Sequence, residues 1–158
     1  MSLFDALKMN QDHLLGEHTF IAEDIKRFAA LYDPQPFHLD EAEAEASIFG
    51  RLCASGWHTA SVWMRKNVDF GLDGIARASG YDGPLPIGGP SPGVKRVSWL
   101  LPVYEGDTIR YYGSFTSKRP LNSKPGWGMV GHFSHGINQD GDRVIEIEGA
   151  FMLGLGPT

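Results

Sequence analysis

The sequence predicts an α+β fold in which an antiparallel sheet lies against one apolar helix. Three observations carry that prediction. Residues 57–66 hold Trp57, Ala60, Val62, Trp63 and Met64 on more than one helical face, with charge only at Arg65 and Lys66; a helix apolar nearly all round is a buried one. Residues 108–117, 128–138 and 143–153 then alternate apolar and polar side chains, as half-buried strands do. Turn signals separate these strands, and Asp140-Gly141 marks a tight hairpin. Consecutive hairpins make an antiparallel sheet, and its apolar face needs a partner.

Taken in order, residues 1–18 are weakly patterned, and His13 and His18 read as surface positions. Residues 19–21 resemble a short strand. Ile25, Phe28, Ala29 and Tyr32 recur at helical spacing, which predicts an amphipathic helix over 22–32. Asp40 and Glu43 form the Asp-x-x-Glu start of a second helix, with Asp40 accepting from free amides, and that helix ends near 47–50. Ser55 is a plausible N-cap for the apolar helix. Glycine and proline gather between 71 and 93, which predicts one long irregular loop. Residues 94–103 read as the strand before the meander, with Val97, Trp99 and Leu101 on one face. Ile145, Ile147, Phe151 and Leu153 face opposite to Glu146 and Glu148.

The chemistry concentrates in Tyr32-Asp33-Pro34-Gln35-Pro36-Phe37-His38-Leu39-Asp40. Pro34 and Pro36 disfavour helical geometry at the residue before each, which predicts an extended, stiff loop after the first helix. A carboxylate and an imidazole five residues apart on such a loop suit general acid–base work on a substrate atom held between them. Standing alone, the stretch reads first as structure: Asp33 ends a helix, and His38 bonds nearby backbone. Asp40 already has a sufficient role as a cap.

Composition narrows the classes. The chain has 158 residues, enough for one domain, with a formal net charge of −5 that argues against nucleic acid or anionic membrane as the main partner. A single cysteine, Cys53, excludes an internal disulfide and reads as a small buried residue in a reducing compartment. No signal peptide and no membrane-length apolar run is evident, so the cytoplasm is the expected location. No zinc pattern, Walker motif or dinucleotide fingerprint occurs, so neither metal nor cofactor is expected. His132 and His135 are an odd number apart on a strand and point to opposite faces; His58 on the apolar helix reads as a satisfied core histidine. Lys118, Arg119 and Lys124 read as solvated surface.

The element order, together with Asp33-Pro34-Gln35-Pro36-Phe37-His38-Leu39-Asp40 and Ala54-Ser55-Gly56 before the apolar helix, resembles the MaoC-like dehydratases. That family includes the (R)-specific enoyl-CoA hydratases, and its signature reads Asp-x-Asn-Pro-x-His-x-Asp followed by His-Gly or Ser-Gly. The likeness covers roughly residues 15–155 of a single domain spanning 1–158. It implies the hot-dog fold, a sheet wrapped around the central helix, and a hydratase/dehydratase acting on 2-enoyl thioesters such as acyl-CoA. By position, Asp33 and His38 become the acid–base pair. Gly56 and Trp57 supply backbone amides to the thioester oxygen at a helix N-terminus, with Ser55 and Gln35 also at the substrate. Gly56 would let a ligand approach the backbone closely. This chain departs from the signature in carrying Gln35 for Asn; the longer side chain predicts a bond to a group outside the loop. Asp33 and His38 are expected to share one water beside Gly56. Two other readings stay open: an acyl-CoA thioesterase, and a non-catalytic acyl-thioester binder. A free sheet edge predicts at least a homodimer, with the acyl pocket near the interface.

Overall fold

In the computed structural model, which describes residues 1–157, five helices precede or flank a six-stranded antiparallel sheet. A short α1 (Leu3–Ala6) leads to β1 (His13–Thr19), α2 (Ala22–Tyr32), the single turn α3 (Pro36–Leu39) and α4 (Glu41–Ala46). The long α5 (Gly56–Ser79) follows, then β2 (Pro86–Gly88), β3 (Gly93–Trp99), β4 (Thr108–Pro120), β5 (Trp127–Ile137) and β6 (Arg143–Pro157). The sheet order is β1-β4-β5-β6-β2, and β3 pairs with β6 alongside β2. This is the α+β hot-dog arrangement, with the meander β4-β5-β6 at its centre and α5 as its long helix. No helix among the described residues is long and apolar enough to cross a membrane.

Local chemistry accounts for most boundaries. Asp40 Oδ1 accepts from the Glu43 amide at 3.0 Å and starts α4. Ser55 caps α5 by accepting from the Trp57 amide at 3.2 Å. Gly80, in the left-handed region at φ 66°, closes α5 with its N–H on the carbonyls of Ala76 and Arg77. Pro36 sits in the first turn of α3, where a missing N–H costs nothing.

Five expectations are corrected here. The irregular segment predicted at 71–93 is helical to Ser79: Gly71 breaks the helix (φ 54°, ψ −167°), but the apolar spacing of Leu72, Ile75 and Ala76 restarts it. The first strand is β1, not residues 19–21; a register shift between Leu14 and Gly16 disrupts the alternation that would have revealed it. α5 is not buried all round in the single chain, because Met64 and Val68 are exposed and Trp57 is 58% exposed. His13 and His18 are half-buried rather than surface residues, and His13 stacks on Phe70 with centroids 4.9 Å apart. The strand predicted over 94–103 also ends early, at Trp99.

The core divides into two clusters. One gathers Leu15, Phe20, Ile25, Trp63, Ile109, Tyr111, Ile145 and Ile147; the other gathers Leu3, Phe4, Ala76, Phe115, Val130 and Leu153. Tyr111, fully buried, donates its hydroxyl to the Thr59 carbonyl of α5 at 3.0 Å and so ties helix to sheet. Lys118 does not face solvent freely: its ammonium donates to the carbonyls of Phe4 and Asp5 at 2.8 and 2.7 Å and holds α1 on the sheet. Tyr111→Phe should lower stability by about 1 kcal/mol, the usual net value of one such bond. In urea unfolding this appears as a lower midpoint at unchanged m; an unchanged midpoint would mean that the bond contributes nothing.

Candidate functional site

Asp33 is the C-cap of α2, its N–H bonded to the Ala29 carbonyl at 2.9 Å. The two prolines do not keep the following stretch extended as far as His38. Pro36 instead begins the helical turn α3, which places His38 one turn on and buries its ring. His38 Nδ1 lies 2.7 Å from the Cys53 carbonyl oxygen. A carbonyl only accepts, so Nδ1 carries the proton and, in the neutral ring, Nε2 presents a lone pair. The Cys53 carbonyl is itself fixed, because Cys53 bridges to Tyr104 and the Ala54 amide donates to the Val103 carbonyl at 2.8 Å. His38 Nε2 then points at Asp33, 3.4 Å from Oδ2.

The carboxylate is held on both oxygens. The Ser55 hydroxyl donates to Oδ2 at 2.7 Å, and the Gln35 side-chain amide donates to Oδ1 at 2.7 Å. Gln35 therefore bonds inside the loop, against the expectation of a partner outside it; the extra methylene lets the amide fold back two residues onto Asp33. Burial works to raise the Asp33 pKa, but the bonds from Ser55 and Gln35 and the nearby imidazole outweigh it and hold the carboxyl below its ordinary value.

Gly56 opens α5, and its N–H makes no hydrogen bond among the described residues. The Trp57 N–H, the second expected donor, is engaged by the Ser55 hydroxyl, so of the two expected donors only the Gly56 amide is free. The face of Gly56 predicted to admit a ligand is filled by the Trp99 indole: a Cβ there would lie 2.6 Å from Trp99 Nε1, which donates to the Gly56 carbonyl at 2.7 Å. Glycine is needed here for indole packing.

A cavity of about 420 Å³ joins these groups, lined by Asp33, Gln35, His38, Gly56 and Trp57 and walled by the apolar run from Trp99 to Val103. Sequence reading named five of these residues and took Trp99 as core first and pocket lining second, but missed Leu100–Val103 as the wall and the Cys53 carbonyl as the anchor of His38. It read Ser55 as a helix cap and a substrate contact, and did not foresee that its hydroxyl holds Asp33. An exposed apolar run, Trp99 to Leu101, was the available signal for the wall.

The remaining titratable side chains lie elsewhere. His58 stacks on Phe28 (centroids 4.7 Å apart), and burial, with His18 nearby, pushes its pKa down to about 4. Its Nδ1 has no partner among the described residues, so it is not the satisfied histidine expected. Burial pushes the Cys53 thiol up to about 11, which keeps it protonated at neutral pH. No grouping of three metal-ligating side chains occurs among the described residues.

The pH consequence follows from the depressed carboxyl. What Asp33 contributes to stability is complete above the unfolded value of about 3.9 and is lost as pH falls through the lower folded value. Ser55→Ala removes one of the two bonds and leaves burial in place, so the Asp33 midpoint should rise. A carbon-13 NMR titration of its carboxyl reads this directly; an unmoved midpoint would contradict it.

Comparison with known proteins agrees with the fold. A MaoC-like dehydratase from Rhodospirillum rubrum is 31% identical over 98% of this chain and 97% of its own, with a TM-score of 0.75. The R-hydratase PhaJ1 of Pseudomonas aeruginosa shares the fold at 22% identity, over 98% of this chain and 90% of its own, with a TM-score of 0.68. An uncharacterised Bacillus subtilis protein is 26% identical over 104 residues, 66% of each chain. Residues 7–85, half of the sequence, match the family described as MaoC like domain, and they include Asp33, His38, Ser55 and all of α5. The chain belongs to the MaoC-like domain family.

Proposed function

We propose that this protein adds water to, or removes it from, the 2,3 double bond of an acyl thioester. The observation that carries the reading is the 3.4 Å approach of His38 Nε2 to Asp33 Oδ2 at a cavity that also holds the free Gly56 N–H. Both atoms are acceptors when the imidazole is neutral. A water placed against them donates one hydrogen to each and turns a lone pair outward, which is the orientation a nucleophile needs.

Hydration then runs as follows. The water oxygen bonds to C3 while His38 Nε2 takes its proton and Asp33 keeps the other hydrogen oriented. The electron pair of the double bond moves through C2 onto the thioester oxygen, where the Gly56 N–H at the positive end of α5 stabilises the enolate. His38 returns the proton to C2, the carbonyl reforms, and every group regains its starting protonation state. Dehydration is the reverse. The reaction is redox-neutral and calls for no external acid.

A thiolate nucleophile for thioester hydrolysis finds no support, because the one cysteine is buried and protonated. The reading also includes self-association. Among the described residues β3 pairs only with β6 and leaves its other edge open, next to the exposed apolar Trp99, Leu100 and Leu101 at the cavity wall. A homodimer closing that edge would place the acyl pocket beside the interface; an invariant monomer mass in light scattering at micromolar concentration would contradict it.

Asp33→Asn and His38→Ala should each lower hydration of short trans-2-enoyl-CoA by at least about a hundredfold, the scale of a positioned acid–base group, with circular dichroism nearly unchanged. Loss of enoyl absorbance is followed beside free thiol. Thiol release in place of hydration, or near-normal activity in either variant, would reject the assignment.

A further inference from the structure

The two core clusters do not meet, and the reason is a row of small residues on the inner face of the sheet. Along β4 the inward positions run Ile109, Tyr111, Gly113, Phe115; along β5 they run Val130, His132, Ser134, Gly136; along β6 they run Ile145, Ile147, Gly149, Phe151. Gly113 stands opposite Ser134, and His132 stands opposite Gly149. Large side chains flank these positions on both sides and form the two clusters. The helix gives way at the same level, because α5 is broken at Gly71, which lines the same space. Between them lies a second cavity of about 390 Å³, within the size range of small-molecule sites. It shares no lining residue with the Asp33–His38 cavity.

The lining is apolar apart from a few groups, and two of those are unpartnered. Trp63 is 6% exposed, and its indole N–H finds no acceptor among the described residues. His132 stacks beside it, centroids 5.7 Å apart, and its buried Nδ1 is likewise without a partner. A buried donor left without an acceptor is costly, and an oxygen supplied by a ligand removes that cost. No lysine, arginine or carboxylate lines the cavity. Burial lowers the pKa of both lining histidines, His13 and His132, so no positive charge is at hand near neutral pH to pair with an anionic head group.

We propose that this cavity is a second binding site, for an uncharged alkyl compound carrying one hydroxyl or carbonyl oxygen, separate from the reaction centre. The oxygen accepts from Trp63 Nε1, a hydroxyl can also serve His132, and the alkyl chain fills the space left by Gly113 and Ser134. The inference stands on this cavity alone and does not rest on the hydratase reading.

The test is calorimetric titration of the full chain with 1-decanol, decanoate and n-hexylbenzene. Decanol should bind saturably at one site per chain, and decanoate more weakly, because its charge would be buried without a partner. Trp63→Phe keeps the ring but removes the donor. It should weaken decanol about 3- to 10-fold, the scale of one neutral hydrogen bond, and leave hexylbenzene, which has no oxygen, unchanged. Ser134→Leu should fill the cavity and weaken both alkyl ligands at least about tenfold; if that variant does not fold, Trp63→Phe still decides. Saturating crotonyl-CoA should not displace decanol. The proposal is overturned if no saturable binding occurs, if Trp63→Phe weakens both ligands equally or neither, or if crotonyl-CoA displaces decanol, which would assign the binding to the reaction centre. It is also overturned if decanol binds only as the protein dissociates in light scattering, because a second copy would then be the occupant. Failure of crotonyl-CoA to be hydrated bears on the proposed reaction and leaves this result standing.

Discussion

A single hydroxyl couples the start of the long helix to the carboxylate. Ser55 donates to Asp33 Oδ2 and accepts from the Trp57 amide, which uses both functions of one oxygen and leaves the Gly56 N–H free beside it. Three segments meet there: the end of α2, the turn α3 that closely follows it, and the segment from Cys53 into α5. The Cys53 carbonyl sets the tautomer of His38, and the Ser55 hydroxyl sets the rotamer of Asp33. Consecutive residues, 53 to 55, thus orient both members of the pair through different atoms. That is why short motifs around Asp33 and around Ser55 have to occur together for the site to form: neither can place its partner alone.

Gln35 illustrates how a departure from a motif is absorbed locally. A side chain one methylene longer than asparagine turns back onto Asp33 instead of reaching across the cavity. The bond is solvent-exposed and worth little as stability. Its effect is directional, fixing the second carboxylate oxygen so that Oδ2 stays turned toward His38. Trp99 has a comparable role on the other side, where its indole seats against Gly56, donates to its carbonyl and closes the wall.

Those features whose signal is local were legible in the sequence. α2 was predicted at its observed bounds, Asp40 and Ser55 cap the helices predicted for them, and the three strands of the meander lie within a few residues of their predicted spans. Asp33, His38 and Gly56 do line one cavity. What was lost had specific causes. A bulge at Gly16 hid β1, and Gly71 looked like the start of a loop because a glycine count cannot tell a helix break from a helix end. The turn α3 was missed because proline at its first position restricts only the residue before it. Long-range partners such as the Cys53 carbonyl carry no sequence pattern at all. The small residues Gly113 and Ser134 are visible in the chain, but their pairing across the sheet depends on strand register, which only the folded sheet supplies.

The central claim, that Asp33 and His38 direct a water onto an enoyl carbon, predicts where the water oxygen goes. Incubating the protein with crotonyl-CoA in oxygen-18 water and analysing products by mass spectrometry reads this directly. The account predicts the label in the 3-hydroxyl group of an intact thioester, with solvent hydrogen at C2 when deuterium oxide is used. Label in a free carboxylate beside released coenzyme A, or unlabelled starting thioester after many hours, would contradict it.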